Sequence, residues 1–353
     1  MVTAQANNPV ALLKQIERVS KTTSLVRIRE SLSRLLKAYL NTALPMPHIM
    51  KVSHTITQNL MHRVVEVCKN QLDKPPVNFT WLSIGSQGRG EQILLTDQDH
   101  ALVFEDVAVK DYKTTQAYFL KLAKKVSQVL HQLGYEFCPA EMMASNSKYC
   151  LSLTEWKNQF TNWIDKPTSQ HIMMCSIFFD YKAVFGSDDL VKQLTSHIFK
   201  KLKGNQKFFA YLGEDALKNP PPLGFFRQFL IENDGEHKDE FDIKARAIQA
   251  LVDAARILVL AEAIEGKNNT IERFHKLAEH EPQNKAVFEA CIKSFYLLSK
   301  FRAIEGFKEN TSGRYINLSE LSKTDKMKLK SAFKPIQEIQ SVVKNRFQLA
   351  HFL

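Results

Sequence analysis

The sequence predicts an α+β fold. A mixed sheet with helices occupies residues 75–205, preceded by a helical segment at 1–74 and followed by a helical domain at 206–353. Three observations carry this. Within 75–205, strand-length apolar runs alternate with segments of helical period. On either side, helical spacing dominates. Proline clusters, Lys74-Pro75-Pro76 and Pro220-Pro221-Pro222, mark the changes of character. A chain of 353 residues is long enough for two or three hydrophobic cores.

In the first segment, Leu25, Ile28, Leu32, Leu35 and Leu36 recur at helical spacing and form one apolar stripe. Pro45 and Pro47 interrupt it, and a second helix buries Ile56, Leu60, Val64, Val65 and Cys68. A strand follows at Phe79 to Ile84, with a partner expected from Ile93–Leu95 and Ala101–Phe104. Asp111 to Gly134 reads as a helix with Phe119, Leu122, Ala123, Val126 and Leu130 inward and Gly134 as its cap. Tyr135–Met143 is a short strand or loop, and Ser152–Ile164 an aromatic-rich helix. The apolar run Ile172–Phe179, ending at Asp180, is expected as a strand, and Asp188 to Lys203 as a helix. Beyond the prolines a strand is expected at Phe225–Ile231 and a turn at Asp234-Gly235. Helices are then expected at Ile243–Ala263, after a Thr270 cap, at Val287–Phe301, and at Asp325–Leu349 with a break at Pro335.

Composition narrows the function. The longest apolar runs fall short of the roughly 20 residues that span a bilayer, so no membrane segment is expected. The N-terminus lacks a basic-then-apolar export signal, and the five cysteines show no metal-ligand or redox spacing. Reduced thiols and a cytoplasmic location follow as the default. The formal charge of +11 is spread over dispersed lysines with no basic, aromatic-interleaved stripe. That favours polyanionic small ligands over nucleic acid as partners.

Residues 81–104, WLSIGSQGRGEQILLTDQDHALVF, concentrate the chemistry. A glycine-rich turn, Gly85-Ser86-Gln87-Gly88-Arg89-Gly90, brings backbone N–H groups, the Ser86 hydroxyl and the Arg89 guanidinium towards phosphate oxygens. Asp97 and Asp99 stand two apart, so on a strand both carboxylates project from one face, where they can hold a divalent cation. The turn has no Gly-Lys-Ser/Thr ending, which disfavours a Walker-type site. Blander readings stand beside these. The two aspartates also suit a solvated strand end or an Asx turn, Arg89 an ion pair with Glu91, and Asp180 a cap on the turn after Phe179. His100 falls on the opposite strand face from the dyad. Lys148 and Lys182 read as phosphate contacts or as ordinary exposed lysines. Asp242, Lys244 and Arg256 read as cleft-lining residues or as a salt-bridge network.

A Gly-Ser turn followed about a dozen residues later by an acid-x-acid pair resembles the nucleotidyltransferase superfamily that includes DNA polymerase β. The longer string GSQGRGEQILLTDQDHAL is similar to the PII-uridylyltransferase relatives, nucleotidyltransferases often fused to CBS or cyclic-nucleotide-binding domains. WKNQFTNWI, SIFFDYKAVFG, PLGFF, DIKARAIQALVDAARILVL and TIERF continue the resemblance from about residue 50 to 345. It implies a polymerase-β-like catalytic domain and a C-terminal substrate-binding domain. It also implies Mg²⁺ as cofactor, with Mn²⁺ as a substitute, held by Asp97, Asp99 and a third carboxylate, Asp180, that activates the attacking hydroxyl. Gly85, Ser86 and Arg89 would bind the phosphates of a nucleoside triphosphate.

The implied activity moves a nucleoside monophosphate to a hydroxyl, with a protein as the expected acceptor, in signal transduction. A non-catalytic nucleotide sensor is the alternative. No CBS-length segment is read before residue 50, which makes a separate CBS-type regulatory protein an expected partner. Pro139-Ala140-Glu141 stands where many relatives carry a glycine pair, which bears on the acceptor more than on the metal.

Overall fold

The computed structural model describes residues 8–94 and 96–349. They fall into two compact units. The first contains the described residues up to Asn162 together with Ile177–Lys200; the second contains Trp163–Ser176 and the chain from Lys201 onward. The fold class is the expected one, helices around a small mixed sheet.

The first unit begins with three helices, α1 (Pro9–Arg18), α2 (Thr23–Leu40) and α3 (Met46–Lys69). The α2 stripe of Leu25, Ile28, Leu32, Leu35 and Leu36 is buried, as are Ile56, Leu60, Val64, Val65 and Cys68 of α3. Each such Leu or Ile contributes about 1.5–3 kcal/mol by leaving water. Pro45 caps α3 and Pro47 sits in its first turn, where a missing N–H costs nothing. Arg63 on α3 donates to the Val19 carbonyl at 2.7 Å, tying α3 to the end of α1.

The four-stranded sheet has the order β5-β3-β1-β6. Central strands β1 (Phe79–Ser83) and β3 (His100–Phe104) pair antiparallel, Phe79 opposite Phe104 and Ser83 opposite His100. Every residue of both is buried, so the sheet is covered on both faces. β6 (Lys182–Gly186) flanks β1 antiparallel, and β5 (Cys150–Ser152) flanks β3 parallel. Helix α5 (Val109–Gln132) buries Phe119, Leu122, Ala123, Val126 and Leu130 and ends at Gly134, whose φ is +90°. Helix α6 (Leu153–Asp165) sends the Trp156 indole N–H to the Leu102 carbonyl at 3.0 Å. Helix α8 (Asp188–Leu202) follows β6.

Two expectations for this part of the chain are corrected. Ile93 and Leu94 are not strand, and Leu95 lies outside the described residues. The run Ile172–Phe179 is not a strand either, but part of helix α7 (Ser169–Phe178). A continuous apolar run suits a buried strand or a buried helix equally. The helix is capped at its start by Thr168, whose hydroxyl accepts from the His171 N–H at 3.2 Å.

The second unit contains α9 (Gln206–Leu217), β7 (Phe241–Asp242), a π-helical turn (Lys244–Ile248) and α10 (Gln249–Ala261). It continues with α11 (Thr270–His280), α12 (Lys285–Glu309), β8 (Tyr315–Ile316), α13 (Lys323–Ser331) and α14 (Phe333–Arg346). β7 and β8 pair antiparallel.

Phe225–Ile231 forms no strand beyond a single bridge, Leu223 to Phe229. A tight loop closes there through Gly224 N–H to the Gln228 carbonyl, leaving Phe225 and Phe226 exposed. The cap of α11 is Asn269, not Thr270; its side chain accepts from Ile271 and Glu272. The C-terminal helix breaks at Ala332 rather than Pro335, which occupies the first turn of α14. An N–H in a first turn has no intrahelical acceptor, so proline is tolerated there.

Asp242 and Arg256 are buried in ion pairs within this unit, with Arg314 at 2.7 Å and Asp253 at 2.5 Å. All five cysteines are buried and unbridged. Among the described residues no helix is long and apolar enough to cross a membrane.

Candidate active site

The site grows from the end of β1. Ile84 extends the β1–β3 pairing by donating to the Asp99 carbonyl at 3.2 Å, and the chain then winds into one helical turn, α4 (Gly85–Gly88). The expected glycine-rich turn is helical: Gly88 N–H bonds Ile84 O at 3.2 Å and Arg89 N–H bonds Gly85 O at 2.9 Å. A helical turn leaves its first amides, here those of Gly85, Ser86 and Gln87, without helical acceptors. Gly85 takes φ +60°, and a β-carbon there would lie 3.5 Å from Asp99 Oδ2, so the head of the turn faces the dyad.

Gly88 has no room for a side chain. A β-carbon would lie 1.9 Å from the Asp180 carbonyl oxygen and 2.7 Å from that of Ser83. Gly88→Ala should destabilise the first unit by about 1–3 kcal/mol or more, seen as a lower urea midpoint with an unchanged slope.

The dyad segment alternates in burial. Gln98 and His100 are buried while Asp97 and Asp99 are half-exposed, so both carboxylates leave the core on one face, as i and i+2 positions must. Its inward side is pinned. Gln98 Nε2 donates to the carbonyls of Ser127 and Tyr135 at 3.2 and 3.3 Å. His100 Nδ1 accepts from Ala144 N–H at 2.9 Å, and Nε2 lies 3.1 Å from Gln98 Oε1. Burial pushes the His100 pKa down to about 3, so the ring is neutral and structural.

A third donor, which the sequence reading missed, joins the dyad. Strand β2 (Asp97–Gln98) pairs in parallel with β4 (Glu136–Phe137), Asp97 opposite Glu136 and Gln98 opposite Phe137. One further step in that register sets Cys138 opposite Asp99. Burial, and then the charge of Asp99, push the Cys138 thiol pKa up to about 11. Ligand atoms of Asp97, Asp99 and Cys138 all lie within 4.8 Å of one another. Donors on opposite sides of one ion at ordinary bond lengths are about 4–4.6 Å apart, so this set fits a single divalent cation. The turn after Cys138 carries Glu141 at φ +53°, a conformation that glycine takes without cost.

Asp180 sits between α7 and β6, fully buried, and among the described residues it is not part of the three-donor cluster. Arg89 Nη1 donates to its carboxylate at 2.7 Å, while Arg89 Nε holds Glu91 at 2.7 Å. The guanidinium thus faces two buried carboxylates. The expected ion pair with Glu91 forms, and Asp180 shares the same guanidinium.

Lys182, opposite Ser83 on β6, has its Nζ 3.1 Å from His54 Nε2 on α3. A β-carbon on Gly90 would lie 2.8 Å from His54 Nδ1, so α3 backs the turn from behind. Lys148 is exposed.

Residues 30–170 match the family model described as "Putative nucleotidyltransferase DUF294". Residues 206–347 match its companion, described as "Putative nucleotidyltransferase substrate binding domain". The chain belongs to the DUF294 nucleotidyltransferase family. Both descriptions support nucleotidyl transfer as the reaction class. The DUF294 segment contains the turn, the dyad and Cys138, while Asp180 lies between the two matched segments. No curated protein matches the chain. A solved structure titled "Computational Design of Self-Assembling Cyclic Protein Homooligomers" aligns over 98% of this chain and 94% of its own at 12% identity, with a TM-score of 0.15. A score that low carries no argument about the fold of this DUF294 protein.

Proposed function

We propose that the protein transfers a nucleoside monophosphate from a nucleoside triphosphate to a hydroxyl acceptor. Asp97 and Asp99 hold Mg²⁺, with Mn²⁺ as a substitute. The observation that carries this is the dyad's placement: two outward carboxylates beside the Gly85 end of a turn with unbonded leading amides. Bound there, the cation supplies charge neutralisation at the α-phosphate and the attacking oxygen. Ser86 and the amides of Gly85, Ser86 and Gln87 bind the β- and γ-phosphates and orient the leaving pyrophosphate. Arg89 holds Asp180 in place and turns to phosphate when the triphosphate competes for it; Asp180 then accepts the acceptor's proton. The acceptor is a protein hydroxyl, such as a tyrosine on a PII-like regulator. The setting is cytoplasmic signal transduction with a CBS-type regulatory chain as partner.

Incubation with each of four α-labelled nucleoside triphosphates, Mg²⁺ and cell extract tests the reading. Label should pass to a protein acceptor in one nucleotide lane, with stoichiometric pyrophosphate. No label and no pyrophosphate in any lane overturns it. One feature favours a second reading, a nucleotide sensor: Asp180 is paired with Arg89 and, among the described residues, is not one of the three clustered donors. Calorimetric binding of a triphosphate without pyrophosphate release is the outcome that selects the sensor.

A further inference from the structure

We propose that Cys138 is a direct ligand of the dyad's cation, so that this site binds thiophilic divalent ions of the zinc and cobalt class more tightly than the Mg²⁺ that serves the reaction. The inference rests on the reading of Asp97 and Asp99 as metal-holding carboxylates and adds a donor to them.

The placement is built by the fold. The parallel β2–β4 register carries Cys138 to the position opposite Asp99, and its donor atom joins those of both aspartates within 4.8 Å. The turn that follows is closed by the Glu141 N–H on the Cys138 carbonyl at 2.9 Å, which fixes the segment that carries the sulfur. On coordination the thiol proton leaves to solvent, and the sulfur keeps its electron pair and donates it to the ion. The charge on two carboxylates and one thiolate is then met by the cation.

Donor chemistry sets the preference. Carboxylates and water suit Mg²⁺ and Mn²⁺, which gain little from sulfur, whereas thiolate strongly favours Zn²⁺, Co²⁺ and Cd²⁺. The other four cysteines are buried, and none belongs to a three-donor cluster among the described residues. A thiolate signal therefore has one source.

Titrating the metal-free full chain with Co²⁺, with binding followed by calorimetry and sulfur-to-metal charge transfer by absorbance, tests the assignment. The wild type should show a charge-transfer band that saturates at one equivalent. Cys138→Ser and Cys138→Ala should lose the band and bind Co²⁺ roughly 10–100-fold more weakly, with Mg²⁺ affinity changed little. Asp97→Asn should also weaken the band's titration. Co²⁺ binding that depends on Asp97 but shows no band overturns the Cys138 assignment and leaves the carboxylate site standing. Absence of any Co²⁺ or Mg²⁺ binding overturns both. Because the band is read first on the wild type, a variant that fails to fold does not decide the matter.

Discussion

Asp97→Asn and Asp99→Asn should each lower the initial rate of pyrophosphate release by about 10³-fold or more. That fall corresponds to the several kcal/mol that a held cation contributes to a charged transition state. Thermal stability should be unchanged or slightly raised. Both side chains leave the core, and the segment is fixed from inside by Gln98 and His100, whose hydrogen bonds the substitutions do not touch. In the metal-free protein the substitution also removes one of two neighbouring like charges. The combination of a dead enzyme with an intact melt separates a catalytic role from a structural one. Rates within tenfold of the wild type would mean that the centre of the reaction lies elsewhere.

Arg89→Met should do the reverse and strike stability first. Its guanidinium bridges Asp180 and Glu91, whose side chains are 0% and 4% exposed. Removing the cation leaves two buried carboxylates short of their main counter-charge, a change that costs about 3–5 kcal/mol. At roughly 2–4 °C per kcal/mol for a unit of this size, the melting temperature should fall by about 6–20 °C. Removing all three charges together, as Arg89→Met, Asp180→Asn and Glu91→Gln, should recover most of that loss, because the cost lies in unpaired charge and not in the missing pair. Circular dichroism melts of the single and triple variants check this. Equal losses in both would show that the guanidinium contributes by packing.

Much of this was legible in the sequence, and the reason is period. The α2 and α3 stripes, the α5 core residues and the two central strands each repeat at the spacing of their element, and burial follows that spacing. The outward pair Asp97 and Asp99 was legible for the same reason. What escaped depends on pairing between distant segments. Nothing near Cys138 announces a parallel partner, because a two-residue strand is too short to show alternation. The Ile172–Phe178 run has no period to read, being apolar on nearly every side, and the one local sign of a helix is the Thr168 cap that precedes it. Arg89 could be paired with Glu91 by nearness in sequence. Its bond to Asp180, 91 residues away, comes from β6 lying beside β1.

The first unit is not continuous in the chain, since its last piece, Ile177–Lys200, follows an excursion of fourteen residues into the second. Domains generally fold as units while the ribosome delivers them from the N-terminus. Here the dyad and Cys138 are already present when residue 162 has emerged, but β6 is not, and β1 waits with one edge bare. Asp180 enters with that late strand, so the carboxylate pair around Arg89 closes only when the sheet does. During synthesis the nascent unit therefore carries an arginine and a glutamate awaiting a partner, together with an unpaired strand edge of the kind that chaperones cover. Birth order divides the site into an early half and a late one.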